Sequence, residues 1–149
     1  MADFLTSFLK LAVTLTEAGR GFVVDTGEAV VAKHQLDEAV MQSEDFRSLA
    51  YTTMQQAQQQ GTAIITNNII TDPNDAPNTN TSFANLRMVV AFPVFDQGVV
   101  YLDKLIRHGI IESSDLDNLV AFARRIVDEG KTHFDYDELH QHYQQVVAD

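Results

Sequence analysis

The chain predicts an α+β domain built around an antiparallel sheet, and three features of its 149 residues carry that expectation. Residues 86–103 read as two apolar strands joined by Asp96-Gln97-Gly98, with glycine suited to a left-handed turn position. Strands this apolar are expected at the centre of a sheet covered on both faces. A second Asp-x-Gly turn, Asp25-Thr26-Gly27, separates two shorter apolar runs. Helical periodicity flanks these strands on either side.

Taken in order, Asp3 is a candidate N-cap for a helix reaching about Glu17. Phe4, Phe8, Leu11 and Leu15 recur at helical spacing, and Leu5, Leu9 and Ala12 widen that face. Ala18-Gly19 closes it. Residues 21–24 and 29–32 form the first two strands, the second an outer one because Lys33-His34-Gln35 turns polar. Residues 36–47 look irregular or weakly helical. Ser48 is a candidate cap for a helix to about Gln59, stopped by Gly61, and residues 63–66 make a short third strand.

Residues 67–85 are rich in Asn, Thr, Asp and Pro and show no period. Structureless stretches of that length are uncommon inside compact domains and tend to be lids, binding loops or disorder. After the hairpin, Ser114 and Asp117 resemble a capping box. Leu116, Leu119, Val120, Ala123, Ile126 and Val127 then keep helical spacing as far as Gly130. A last polar helix, about 135–147, carries Leu139, Tyr143 and Val146 on one side. The expected division is a domain over 1–130 and a helical tail over 131–149.

Composition narrows the function. The formal net charge of -11 disfavours direct contact with nucleic acid or anionic lipid. With no cysteine, disulfides, thiolate catalysis, cysteine-held zinc, iron–sulfur clusters and thioether-linked chromophores are excluded. Asp3 and Lys10 interrupt any export signal, and no apolar run approaches the roughly 20 residues of a membrane span. A cytoplasmic protein without a cofactor is expected. There is no P-loop, nucleophile elbow or paired metal motif, so catalysis is not expected. His133, His140 and His142 lie among acids, but positions two apart on a helix do not share a face, and a solvated tail is expected there.

These residues resemble the GAF family of small-molecule sensor modules, a fold related to PAS domains. The resemblance rests on Ala18-Gly19-Arg20-Gly21-Phe22-Val23, Gly61-Thr62-Ala63, Leu86-Arg87, Ala91-Phe92-Pro93-Val94, Gly98-Val99-Val100-Tyr101-Leu102-Asp103 and the Ser114-Asp115-Leu116 helix start, covering about 4–126. It is nearest to GAF domains of bacterial signalling proteins and transcription activators. It implies a sheet of order 2-1-5-4-3, terminal helices on one face, and on the other a ligand pocket roofed by the segment after strand three. Pro93 sits where the family carries proline and is expected to mark a bulge or break in the ladder. The Asn-Lys-x-Phe-Asp-Glu set of cyclic-nucleotide-binding members is absent. The lack of cysteine excludes bilin attachment and methionine sulfoxide reduction.

On that reading the chain is a regulatory sensor. Its ligand would be met by Phe22, Val24, Thr79, Thr81, Ser82, Phe83, Asn85, Arg87 and Tyr101. Each residue has a plainer alternative: a surface loop for 67–86, core packing for the aromatics, and for Arg87 an ion pair with an acidic neighbour rather than a bound carboxylate or phosphate. Asp103 is expected to fix the turn after strand five. A second function is a ligand-free interaction module with its pocket filled by its own side chains. Phe4, Phe8, Leu11, Leu119, Phe122 and Ile126 are the candidate face of a homodimer, unless the two helices simply pack together on the sheet. An output domain or partner protein would receive the signal.

Overall fold

A computed structural model describes residues 2–69 and 86–147. Helix α1 (Ala2–Thr16) leads into strands β1 (Arg20–Asp25) and β2 (Val30–His34). Helices α2 (Glu38–Gln42) and α3 (Glu44–Gln60) precede β3 (Ile64–Ile69). The hairpin β4 (Leu86–Pro93) and β5 (Gly98–Leu105) is followed by a 3-10 turn, then α4 (Ser113–Asp128) and α5 (Tyr136–Val147). The five strands form one antiparallel sheet of order β2-β1-β5-β4-β3.

Alternation along the central strands explains the layering. Val23, Val90, Phe92, Val100 and Leu102 point to one face and join Phe4, Phe8, Leu11, Leu119, Phe122 and Ile126 in one core. Phe22, Val24, Val89, Ala91, Val99 and Tyr101 point to the other and meet Phe46, Ala50, Met54 and Ala57 of α3. The hairpin strands are thus buried on both faces, as continuous apolar runs demand.

Several boundaries depart from the sequence reading. Helix α1 begins at Ala2, which places Asp3 inside it. Residues 36–47 are more ordered than their polar pattern implies. Asp37 caps α2 by accepting a hydrogen bond from Val40 N, and α3 starts at Glu44, four residues before the expected cap Ser48. Helix α4 begins at Ser113 after Glu112 with no side-chain cap, so the Ser114 capping box does not form. A reciprocal box forms instead at α5: Asp135 Oδ1 accepts from Glu138 N at 2.9 Å, and Glu138 Oε1 from Asp135 N at 3.1 Å.

The hairpin closes one residue earlier than expected. Val94 N donates to Gly98 O at 2.8 Å and Gln97 N to Val94 O at 3.0 Å, and the left-handed residue is Phe95 (φ 50°). Gly98 serves a different need: a Cβ there would strike the carbonyl oxygen of Val24 on β1. Pro93 makes no bulge. It is the last residue of β4, opposite Val99, and the β4–β5 register runs unbroken to it. The closing bond of the β4–β5 ladder is donated by Val94 instead, so the missing N–H of Pro93, opposite Val99, costs the ladder nothing. The irregularity in register falls between Val23 and Val24, against β2.

The expected homodimer face is not on the surface. Phe4, Phe8, Leu11, Leu119, Phe122 and Ile126 are all at most 2% exposed within a single chain. Helices α1, α4 and α5 pack on one another, and α1 and α4 lie on the sheet. The breadth of the α1 stripe is explained by this: α1 touches strands on one flank and two helices on the other. Helix α5 is likewise no solvated tail. Leu139 and Tyr143 belong to the same core as α1 and α4. No helix among the described residues is long and apolar enough to cross a membrane.

A buried ionic node as the candidate functional site

The α3-facing side of the sheet carries a charged cluster at one end. Arg20 opens β1, Arg87 is the second residue of β4, and Asp103 lies late in β5. Period-two alternation gives Arg20 the face of Phe22 and Val24, Asp103 that of Val99 and Tyr101, and Arg87 that of Val89 and Ala91. Register then brings them together, since Asp103 is opposite Arg20 on one side and Val89 on the other.

Asp103 is the hub. Arg20 donates from Nε to Oδ1 at 3.0 Å and from Nη2 to Oδ2 at 3.0 Å, a forked pair. Arg87 Nη1 donates to Oδ1 at 2.8 Å, and the Tyr101 hydroxyl to Oδ2 at 2.7 Å. The carboxylate is fully buried and Arg20 is buried beside it, its guanidinium 5.5 Å from the Phe46 ring centroid. Such a charge is tolerable in the interior only with its acceptor sites filled, and they are filled here. Burial pushes the Tyr101 phenol well above its ordinary value, and the Asp103 charge pushes it further, against the opposing pull of the two guanidinia. Tyr101 is therefore a fixed hydrogen-bond donor.

Chemically the node is an anchor with a cationic edge. A carboxylate saturated by three donor side chains is unsuited to act as a base, and among the described residues no nucleophile joins it. Arg87 is the outermost member, its side chain 13% exposed, and it sits next to Leu86, where the chain re-enters the sheet opposite Ile69.

The sequence-derived site residues divide accordingly. Arg87 and Tyr101 meet through Asp103. Phe22 and Val24 share their face but serve α3 packing, where Phe22 lies 6.1 Å from Phe46 and 5.2 Å from Tyr101 between ring centroids. Thr79, Thr81, Ser82, Phe83 and Asn85, with the proposed loop roof, lie outside the described residues. Asp103 does not fix a turn; it neutralises two arginines. Its partner Arg20 was not singled out from sequence. The available signal was parity: Arg20 and Asp103 stand in step with the aromatic residues of one face, Phe22 and Tyr101. The histidines are separate. His140 stacks on Tyr136, His133 meets Phe134, and His142 lies between Phe122 and Phe134.

No protein-family model matches the chain, and no curated protein matches it either.

Proposed function

We propose that the chain is a GAF-like regulatory domain of bacterial signal transduction, not an enzyme, that holds a small anionic molecule at the Arg87 end of the sheet. The observation that carries this reading is the convergence of Arg20, Arg87, Tyr101 and Asp103 on the α3 face, beside the ends of β3 and β4. That is where the GAF resemblance puts a ligand. A carboxylate or phosphate would find a partner in Arg87. The same strands carry α1 and α4 on their opposite face, so a ligand that favours one arrangement of the node shifts the helices. The protein would work in the cytoplasm as a homodimer, passing its signal to an output domain or partner protein and touching neither nucleic acid nor membrane.

One observation favours the second reading, an interaction module without ligand. Phe22, Phe46 and Tyr101 fill the space beneath α3 with rings 5.2–6.1 Å apart. Native mass spectrometry of protein purified from cells distinguishes the two. Sensing expects mass above that of the bare chain, lost in Arg87→Met. A bare-chain mass, with melting unmoved by a panel of carboxylates and phosphate esters, overturns sensing in favour of the module.

A further inference from the structure

Strand β2 ends the sheet: among the described residues its only strand neighbour is β1. In an antiparallel ladder every second residue of such a strand turns its N–H and C=O outward. Edge strands are commonly guarded by a lysine, and Lys33 alone would fit that description. The surroundings of this edge go further. A groove of about 380 Å³ runs along one face of β2, between it and Met41, Arg47 and Tyr51 of α2 and α3. A second, of about 360 Å³, runs along the other face, between β2 and Leu9, Lys10 and Val13 of α1. Val30, at the start of β2, is 43% exposed. Helices therefore flank this edge strand on both faces, and a groove on each leaves room for side chains.

The charge of this place is opposite to that of the molecule. Lys10, Lys33 and Arg47 line the two grooves with His34, against a single acid, Glu38, in a chain of net charge -11. Lys33 pairs with Glu38 at 3.0 Å, but both are exposed, so an incoming carboxylate can replace Glu38. Lys10 is held over the Tyr136 ring at 4.3 Å. A second copy of this chain is a poor occupant. An isologous contact would set the same cations against each other and bring together two chains each carrying -11.

We propose that the outer edge of β2 binds an extended acidic segment of a partner protein as a sixth strand. Main-chain hydrogen bonds would hold it, alternate side chains would enter the two grooves, and its carboxylates would meet Lys10, Lys33 and Arg47. This site is distinct from the Arg87 node.

The test uses the whole chain and two pools of nine-residue peptides. In one, Val, Ile or Thr alternates with Asp or Glu; in the other, lysine replaces the acids. Amide NMR should show the acidic pool shifting β2 resonances and slowing hydrogen exchange there, with weaker binding at higher salt. Lys33→Glu combined with Arg47→Glu should weaken it about fivefold or more while melting stays near wild type. N-methylation of alternate peptide bonds, tried in both phases, should abolish binding in one phase. Absence of β2 shifts at millimolar acidic peptide overturns the proposal. So does equal binding of the lysine pool, binding indifferent to N-methylation in either phase, or shifts that fall at Arg87 instead.

Discussion

The Tyr101 hydroxyl donates to Asp103 Oδ2 at 2.7 Å, two residues along one strand and on one face of it. With two guanidinia on the same carboxylate, Asp103 organises three side chains from three strands. Asp103→Asn keeps the shape but removes the charge that balances two arginines. Breaking a buried ion pair in this way costs about 3–5 kcal/mol. Tyr101→Phe, which removes one hydrogen bond to a charged group, should cost about 2 kcal/mol. Urea unfolding measures both. A loss under about 1 kcal/mol for Asp103→Asn would show the node to be energetically slack.

Tyr101 also makes stability depend on alkaline pH. An unfolded tyrosine ionises near pH 10, about its ordinary value, whereas burial beside Asp103 makes the folded phenol hold its proton well above that. Above about pH 10 the folded state therefore binds more protons than the unfolded state, and stability falls as pH rises. The contribution is complete below the unfolded value and disappears as pH passes the folded one. Tyr143, raised chiefly by burial and also by the charge of Asp115, adds a smaller slope of the same sign. Urea midpoints from pH 8 to 11 should decline, and decline less in Tyr101→Phe.

The two Asp-x-Gly turns separate under alanine substitution. A Cβ at Gly98 strikes backbone of β1, and backbone cannot swing aside, so Gly98→Ala should cost about 1–3 kcal/mol. At Gly27 the nearest atom is Asp25 Oδ1 at 3.5 Å, and the left-handed residue is Glu28 (φ 63°) instead. Gly27→Ala should be neutral or stabilise by up to about 1 kcal/mol. Equal losses at both positions, seen as equal shifts in melting temperature, would refute this account of the turns.

That contrast shows what was legible in the sequence. Both hairpins could be seen because apolar runs and turn residues are local signals. Which turn residue carries positive φ could not, because it depends on how neighbouring strands close: Phe95 and Glu28 take it, and Gly98 is needed for space that only β1 defines. The strand order agrees with that implied by the GAF resemblance, which periodicity alone would not supply. Arg87 was legible as half of an ion pair. The hub was not, since Asp103 gathers residues 83 and 16 positions away, a distance over which no spacing rule acts. Helix α2 and the start of α3 were legible only as an irregular or weakly helical stretch, because their apolar contacts, Val40 and Phe46, are sparse among polar residues.

Phe8 tests whether the α1 face is core or contact. Its ring lies 5.9 Å from Phe4, 6.2 Å from Phe92 and 6.2 Å from Phe122, all within one chain. Phe8→Ala should lower stability by about 3–5 kcal/mol at every protein concentration. A loss that shrinks as concentration rises would return Phe8 to a subunit interface. Light scattering on the wild type completes the test: a dimer would have to use a surface other than this one.

The C-terminal helix offers the last test, because its sequence is polar while its two anchors are buried. Leu139 is fully buried in the core shared with α1 and α4, and Tyr143 meets Phe122 edge-on at 5.2 Å. A dispensable tail would tolerate truncation of Leu139 with a change below about 0.5 kcal/mol. Core membership instead expects about 2–5 kcal/mol for Leu139→Ala. Since α5 covers Phe122 and packs along α1, removing residues 131–149 should expose part of that core and abolish a single cooperative urea transition. Retention of wild-type cooperativity by residues 1–130 would restore the boundary at Gly130 and make α5 an appendage.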